Sequence, residues 1–102
     1  MPAQSCEEIA RLLEALAHPL RPVIVTLLRE QEMHIGEIAL ALGVVPTQAA
    51  SHVAALAEVG ILVGVRRGPL DHYYLRDSRV LHALCLLEQF RRSHGLPSSV
   101  LS

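Results

Sequence analysis

The chain has no lysine and no tryptophan, and its aromatic residues are two tyrosines and one phenylalanine. Apolar residues still make up 51% of its 102 residues, so the core of a single domain must be built from aliphatic side chains. Because lysine is absent, arginine supplies all nine basic residues, and against ten acidic residues the net charge is −1. Such a balance gives no general basic surface, which counts against a nonspecific coat for nucleic acid.

Long apolar runs and catalytic motifs are also lacking. The uninterrupted apolar stretches are far shorter than a membrane span, and the first residues lack the basic start and apolar run of a signal peptide. We therefore expect neither feature. Two cysteines, Cys6 and Cys85, do not form a disulfide framework, which favours a cytoplasmic location. Without a nucleophile elbow, a phosphate loop or an HExxH motif, the chain is predicted not to be an enzyme.

Five segments have apolar residues at helical spacing. Ser5 and Glu8 have the spacing of a capping box at the start of the first segment, and Asp77-Ser78 can cap the last one. A polar connection is expected over residues 30–33. The predicted helices cover residues 5–17, 19–30, 35–42, 47–59 and 79–93, the last being closed by Gly95 and Pro97.

Between the third and fourth helices, Gly43 suits the left-handed conformation that ends a helix. A short helix, a tight glycine turn and a longer helix form a helix-turn-helix arrangement. After Gly60 the apolar period changes from 3.6 to 2, so residues 61–66 and 72–76 predict a β-hairpin with its turn over residues 67–71. The expected fold is mainly α with one hairpin. Residues 1–95 form the domain, and residues 96–102 form a flexible tail.

The fourth predicted helix has two different sides. One side is apolar, and it consists of Ala49, Ala50, Val53, Leu56 and Ala57. The other side is small, neutral and rich in hydrogen-bonding groups, and it consists of Gln48, Ser51, His52 and Ala55. Such a surface suits a helix that enters a DNA groove and touches base edges, so we predict a DNA-recognition helix. The alternative is that these are ordinary solvated polar residues.

Three stretches of the chain, over roughly residues 9–90, resemble the ArsR/SmtB family of winged-helix repressors. They are LLEALAHPLRPVIVTLL, IGEIALALGVVPTQAASHVAALAEVGILV and RRGPLDHYYL. The most specific pieces are Ala17-His18-Pro19-x-Arg21, Gly43 with Ser51-His52, and the hairpin with Arg66-Arg67 and Tyr73-Tyr74. The resemblance implies a winged helix-turn-helix fold in a homodimer that binds operator DNA. Such proteins usually release the DNA when a metal or another signal binds.

Combined with the residue pattern, the resemblance implies a set of DNA contacts. They are Thr47, Gln48, Ser51 and His52 in the recognition helix, and Arg66 and Arg67 in the hairpin wing. For His52 an alternative is that it supports the helix and touches a phosphate. At four positions this chain lacks the polar or basic residue that is usual in the family. The residues that stand there instead are Val45, Ala50, Ser51 and Leu70. We therefore expect weaker or more selective operator binding.

The last predicted helix carries more apolar positions than one packed face needs, which favours contact with a partner chain. In the resembled family, the first and last helices form most of the dimer interface. The residues expected there are Ile9, Leu12, Leu13, Leu81, Leu84 and Leu87.

The usual metal sites of the family are expected to be absent. His34 and Gly36 stand where one site has Cys-x-Cys, and Asp77 is the only matching ligand of the site on the last helix, where the other positions are Arg79, Phe90 and Ser93. The effector is therefore unidentified, and a divalent transition metal remains open. His82 and Cys85 are three residues apart on the last helix, where we favour a surface histidine and a small core thiol. A thiol switch between Cys6 and Cys85 is a further alternative.

The sequence thus predicts a cytoplasmic homodimeric transcriptional repressor that places residues 47–59 in the major groove and reads an imperfect palindrome. The alternative is a winged-helix protein–protein interaction module with little or no DNA binding. The low charge of the wing keeps that alternative open.

Overall fold

Five helices and a three-stranded antiparallel sheet form the part of the chain that the structure, a computed structural model, describes: residues 1–96. The predicted tail over residues 96–102 lies outside the described residues except for Leu96. The elements are α1 (Ala3–Leu16), α2 (Leu20–Leu27), β1 (Met33–His34), α3 (Ile35–Leu42), α4 (Pro46–Glu58), β2 (Leu62–Arg67), β3 (Leu70–Leu75) and α5 (Arg79–His94). The predicted winged helix-turn-helix is confirmed.

Two predicted helix ends are wrong. The capping box at Ser5 does not form, because α1 already begins at Ala3 after Pro2, whose carbonyl accepts from the Cys6 amide at 3.1 Å. Helix α2 ends at Leu27 rather than at residue 30, since the chain must turn there to bring the next residues into the sheet. Of the cap predicted for α5, the part of Asp77 forms, because its carboxylate accepts from the backbone amide of Arg79 at 2.8 Å, whereas Ser78 makes no side-chain capping hydrogen bond.

Strand β1 was predicted as part of a polar connection. Met33 pairs with Tyr73 and His34 with His72, so β1 lies against β3 and the order in the sheet is β1-β3-β2. Met33 is buried in the core. His34 then caps α3, because its Nδ1 accepts from the Glu37 amide at 3.4 Å while the Glu37 carboxylate accepts from the His34 amide at 3.1 Å. The strand therefore joins the helix-turn-helix directly to the wing.

The hairpin is longer and tighter than predicted. Arg67 and Leu70 still pair, so the turn contains Gly68 and Pro69 alone rather than residues 67–71. Gly68 has φ 62°, and a glycine at the first central position is what a type II′ turn requires. The turn is short because its glycine adopts a conformation that other residues rarely reach.

The core lies where α2, α3 and α4 meet the sheet. Its largest fully buried members are Ile24, Val25, Ile38, Val53, Leu56 and Leu62. Gly43 ends α3 with φ 71°, as predicted, and nothing lies within 4 Å of where a Cβ would stand. Helices α3 and α4 are bent by 110° at this break. Within residues 1–96, no single helix is long and apolar enough to cross a membrane. The bent pair of α3 and α4 passes the same test, but by length and composition alone.

Helix α5 differs from the other helices because none of its residues is buried. Of the predicted interface residues, Ile9, Leu13 and Leu87 are exposed, whereas Leu12, Leu81 and Leu84 pack partly against the core. Leu86 and Phe90, which the predicted interface did not include, are also exposed. An open groove of about 640 Å³ runs between α2 and α5, bounded by Val23 and Leu84 among others. Exposed apolar side chains thus occur on α1 and α5, the two helices named by the prediction, and also elsewhere, for example at Val23 in α2 and Leu40 in α3.

Candidate nucleic-acid interface

The exposed side of α4 is a row of small residues. Thr47, Gln48, Ser51 and Ala54 are all exposed, and they follow one another at helical spacing. Three of them carry hydrogen-bonding side chains that can reach a base edge or a phosphate. Ala54 was not predicted; its lack of a bulky side chain allows a close approach of the helix backbone. This row remains the candidate recognition surface.

His52 does not belong to that surface. Its side chain is 7% exposed, and its Nδ1 accepts a hydrogen bond from Arg21 Nε at 3.1 Å. The ring also packs on His18, with 4.3 Å between ring centroids. This burial and the bond to Arg21 agree with the alternative that His52 supports the helix, and they separate it from the exposed residues of α4.

Arg21 holds α4 against the helices before it. Besides its bond to His52, it donates through Nη1 to the Ala15 carbonyl at the end of α1, at 3.1 Å. Burial lowers the pKa of His52, and the positive charges of His18 and Arg21 lower it further. A neutral ring with Nδ1 as acceptor is what the Arg21 bond needs, because a protonated imidazole has no acceptor. The motif His18-Pro19-x-Arg21 is thereby explained as a clamp on α4.

The N-terminus of α4 has no side-chain cap. Val45 takes the extended conformation of a capping residue, with φ −72° and ψ 150°, but its side chain cannot accept a hydrogen bond. Its carbonyl accepts from the Gln48 and Ala49 amides at 3.0 and 3.2 Å. Pro46, which has no amide proton, occupies the first turn, as expected from the sequence.

The wing presents two arginines, and both are paired within the chain. Arg66 donates to the Gly68 carbonyl at 3.1 Å and to Asp71 at 3.3 Å. Arg67 donates through Nε and Nη2 to both carboxylate oxygens of Glu32, at 2.7 and 3.1 Å. The arginines are exposed, as a DNA contact requires, but neither carries an uncompensated charge. Sequence reasoning did not find Glu32, which lies 35 residues from its partner.

A further arginine fixes the wing to α4. Arg76, just after β3, donates through Nε to the Gly60 carbonyl at 2.7 Å, and its amide donates to the Ile61 carbonyl at 3.0 Å. The bond to Gly60 connects the end of α4 to the base of the hairpin, and the bond to Ile61 extends the pairing of β2 and β3 by one residue pair.

Of the residues proposed for sensing, His82 and Cys85 lie one turn apart on α5, and Cys6 lies on α1. Cys6, His82 and Cys85 are exposed, so the favoured interpretation of Cys85 as a small core residue is wrong. Cys85 instead borders the groove between α2 and α5. Across residues 1–96, no three His, Cys, Asp or Glu side chains converge as a metal site would require.

The positions of the usual family metal sites do not fit a metal either. The Asp77 carboxylate is bound by the Arg79 guanidinium at 2.6 Å, and hydrogen bonds from Arg79 lower its pKa to about 2. His34 is used as the cap of α3. At Gly36 a Cβ would come within 2.9 Å of the His34 ring, so a side-chain ligand there would displace that cap.

The known proteins with similar sequences are helix-turn-helix transcriptional regulators. No protein-family model matches the chain. The chain is 32% identical over 82 residues to the HTH-type transcriptional regulator NmtR of Mycobacterium tuberculosis, covering 80% of this chain and 68% of NmtR. It is 33% identical over 81 residues to the HTH-type transcriptional repressor SmtB of the same species, covering 79% of this chain and 60% of SmtB. Both relatives are transcriptional regulators, which confirms the prediction that the chain is not an enzyme.

A solved structure is similar over most of the chain. It is the homodimeric winged helix-turn-helix DNA-binding domain of a possible ArsR-family transcriptional regulator from Mycobacterium bovis, studied in solution by NMR. The TM-score is 0.80 at 28% identity, and the match covers 90% of this chain and 85% of that domain.

Proposed function

Because the chain belongs to the ArsR/SmtB family of winged helix-turn-helix transcriptional regulators, we propose that it is a cytoplasmic homodimeric repressor. It binds a palindromic DNA operator, and each protomer inserts α4 into a major groove while its wing lies along the flanking backbone. DNA affinity is modulated by an effector whose identity is open. Repression is supported by the similarity to SmtB, a named repressor.

The single observation that carries the proposal is the exposed row Thr47, Gln48, Ser51 and Ala54 on α4. A surface helix that only faces water usually carries charged pairs at helical spacing. This row contains no charged residue, and the first charged residue of α4 is Glu58. Gln48 has both a donor and an acceptor on its amide, so it can bind adenine through two hydrogen bonds. Arg21 and the buried His52 hold the row in a fixed orientation.

The dimer is supported by α5. Leu87 and Phe90 are 58% and 62% exposed, and a helix with such residues and no buried position is incompletely packed within one protomer. The similar domain from Mycobacterium bovis is a homodimer. A two-fold pair of α4 helices matches a palindrome with half-sites about one helical turn of DNA apart.

The experiment is a selection of operator sequences from a random duplex library, followed by fluorescence anisotropy titrations. We expect Gln48→Ala to weaken binding to the selected duplex by roughly 5- to 150-fold, the range for one lost bidentate base contact. Ser51→Ala should weaken it less, because a hydroxyl makes fewer bonds. Gln31→Ala is the matched control, since Gln31 is an exposed glutamine outside the helix-turn-helix and its loss should leave affinity unchanged.

Salt dependence separates this function from the alternative, a protein–protein interaction module. Binding to DNA should weaken steeply with salt, with a slope in the logarithmic plot of about −0.9 for each phosphate contact. If the selection enriches no sequence, and if binding to a mixed-sequence duplex is absent even at low salt, the DNA-binding function is wrong and the interaction module is favoured.

A further inference from the structure

The guanidinium of Arg67 is held on the outer face of the sheet by Glu32, although Arg67 itself is the last residue of β2 before the turn. Val65, His72 and His34 are register partners in β2, β3 and β1, so their side chains share one face. Arg67 lies two residues after Val65, and Glu32 lies two residues before His34, which places both on that same face. The ion pair therefore reaches from the turn end of β2, across β3, to the residue that precedes β1.

This ion pair is the best-formed one in the wing. Both oxygens of Glu32 accept from Arg67, at 2.7 and 3.1 Å, whereas Arg66 approaches a single oxygen of Asp71 at 3.3 Å. The Glu32 side chain is 31% exposed, so water screens it less than the fully solvated acids. His72 Nδ1 lies 3.4 Å from Oε1 of Glu32, the same oxygen that accepts from Arg67 Nε. Hydrogen bonding from Arg67 lowers the pKa of Glu32, so this carboxyl is ionised at neutral pH.

We propose that Glu32 competes with DNA phosphate for Arg67 and so sets the affinity of the wing for DNA. A carboxylate and a phosphate bind the same fork of guanidinium N–H groups, and one guanidinium cannot present that fork to both. Contact between Arg67 and the DNA backbone therefore requires the pair with Glu32 to open. The competition rests on the proposed function, because it has an effect only if the wing meets DNA.

A purely structural role for Glu32 gives the opposite sign. If the ion pair only held the wing in its DNA-binding position, its loss would weaken DNA binding. If Glu32 competes for Arg67, its neutralisation tightens binding, because the guanidinium of Arg67 no longer has to leave a charged partner before it can bind a phosphate. The sign of the change in affinity therefore decides between the two roles.

The test uses Glu32→Gln and the full chain, titrated with a fluorescein-labelled 30-base-pair duplex of mixed sequence and with the selected operator. Phosphate contacts are independent of sequence, so both duplexes should respond. We expect binding to tighten by about two- to fivefold, in line with the small couplings of exposed ion pairs. Glu30→Gln is the matched control: it removes the same charge two residues away, from an acid that pairs with Arg29 at 3.3 Å and not with the wing.

The effect must pass through Arg67, which a double-mutant cycle measures. Glu32→Gln should tighten binding in the wild-type background and change nothing beyond the Glu30→Gln control in an Arg67→Gln background. Equal tightening in both backgrounds would mean that Glu32 repels DNA directly, and that result overturns the competition. The competition is also overturned if Glu32→Gln binds DNA more weakly than wild type with an unchanged thermal midpoint. It is overturned as well if the Glu32→Gln and Glu30→Gln variants bind DNA with identical affinity.

Two further outcomes are distinguishable. Glu32→Asp keeps the negative charge but moves it one methylene away from Arg67, so it should tighten DNA binding less than Glu32→Gln does. If Glu32→Gln does not fold, Glu32→Asp is used in its place. If the wild-type chain binds neither duplex, the proposed function itself is wrong and the competition falls with it.

Discussion

Replacing Arg21 by methionine should destabilise the domain more than any other arginine substitution in α2 or the loop after it. Methionine keeps an unbranched stem of similar length, so the change removes mainly the guanidinium. Two acceptors then lose their donor: Nδ1 of His52, and the carbonyl of Ala15 near the end of α1. Both residues are only 7% exposed, so water reaches these atoms poorly.

The size of the effect follows from those two acceptors. A buried acceptor left without a partner costs about 1–3 kcal/mol, so two of them, with some access for water, cost about 2–4 kcal/mol together. In a domain of this size each kcal/mol lowers the melting temperature by roughly 4–8 °C, which gives a decrease of about 10–25 °C. Because small domains have about 5–15 kcal/mol of stability, the variant should still fold at room temperature.

The assay is urea denaturation followed by circular dichroism, at one fixed protein concentration because a dimer's stability depends on it. Arg29→Met is the control, since Arg29 is exposed and pairs with Glu30 alone at 3.3 Å. It should change the free energy of unfolding by less than about 0.5 kcal/mol. Arg21→Lys should recover part of the loss, because it restores the charge without the fork of donors. If Arg21→Met lies within about 0.5 kcal/mol of wild type, the clamp on α4 does not exist.

Three further expectations follow from the structure. Gly43→Ala should lower the free energy of unfolding by about 1–2 kcal/mol in urea, because φ is 71° while no atom lies within 4 Å of the added Cβ; a larger loss would indicate a clash. Leu87→Glu combined with Phe90→Glu should convert the proposed dimer to a folded monomer in analytical ultracentrifugation, since both side chains are exposed within the protomer, and an unchanged dimer would place the interface elsewhere. Burial lowers the pKa of His52 below 6.5, so the unfolded chain takes up a proton first as the pH falls. The free energy of unfolding should therefore be higher for wild type than for His52→Gln at pH 7.5, and this difference should become smaller by pH 5.5. A difference that does not change with pH would contradict this reasoning.

The helix-turn-helix could be predicted because its determinants are local. The spacing of apolar residues in α3 and α4 and the conformational preference of Gly43 act within a few residues, and Ile35–Leu42 agrees with the predicted bounds. Strand β1 could not be predicted in the same way. Two residues show no period, and Met33 and His34 are strand only because Tyr73 and His72 pair with them.

The candidate site shows where reasoning from residue type was misleading. His52 lies on the border between the two sides of α4, four residues after the exposed Gln48 and four residues before the buried Leu56, so the helical period alone does not decide its side. Its polar character led to its assignment to the exposed side, because its partner Arg21 lies 31 residues away and a sequence does not show that contact. The same limit applies to the wing, where exposure of the arginines was predictable but their pairing with Glu32 and Asp71 was not.

The strand order β1-β3-β2 leaves β2 as an open edge of the sheet, with six residues able to pair with a strand of another molecule. Open edges promote aggregation unless charged side chains interrupt them. Arg66 and Arg67 end this strand, after a run of Leu62, Val63, Gly64 and Val65 that carries no charge. We therefore expect the two arginines to oppose association through this edge, and replacing both with apolar residues should produce fibrillar or amorphous aggregates whether or not DNA is present.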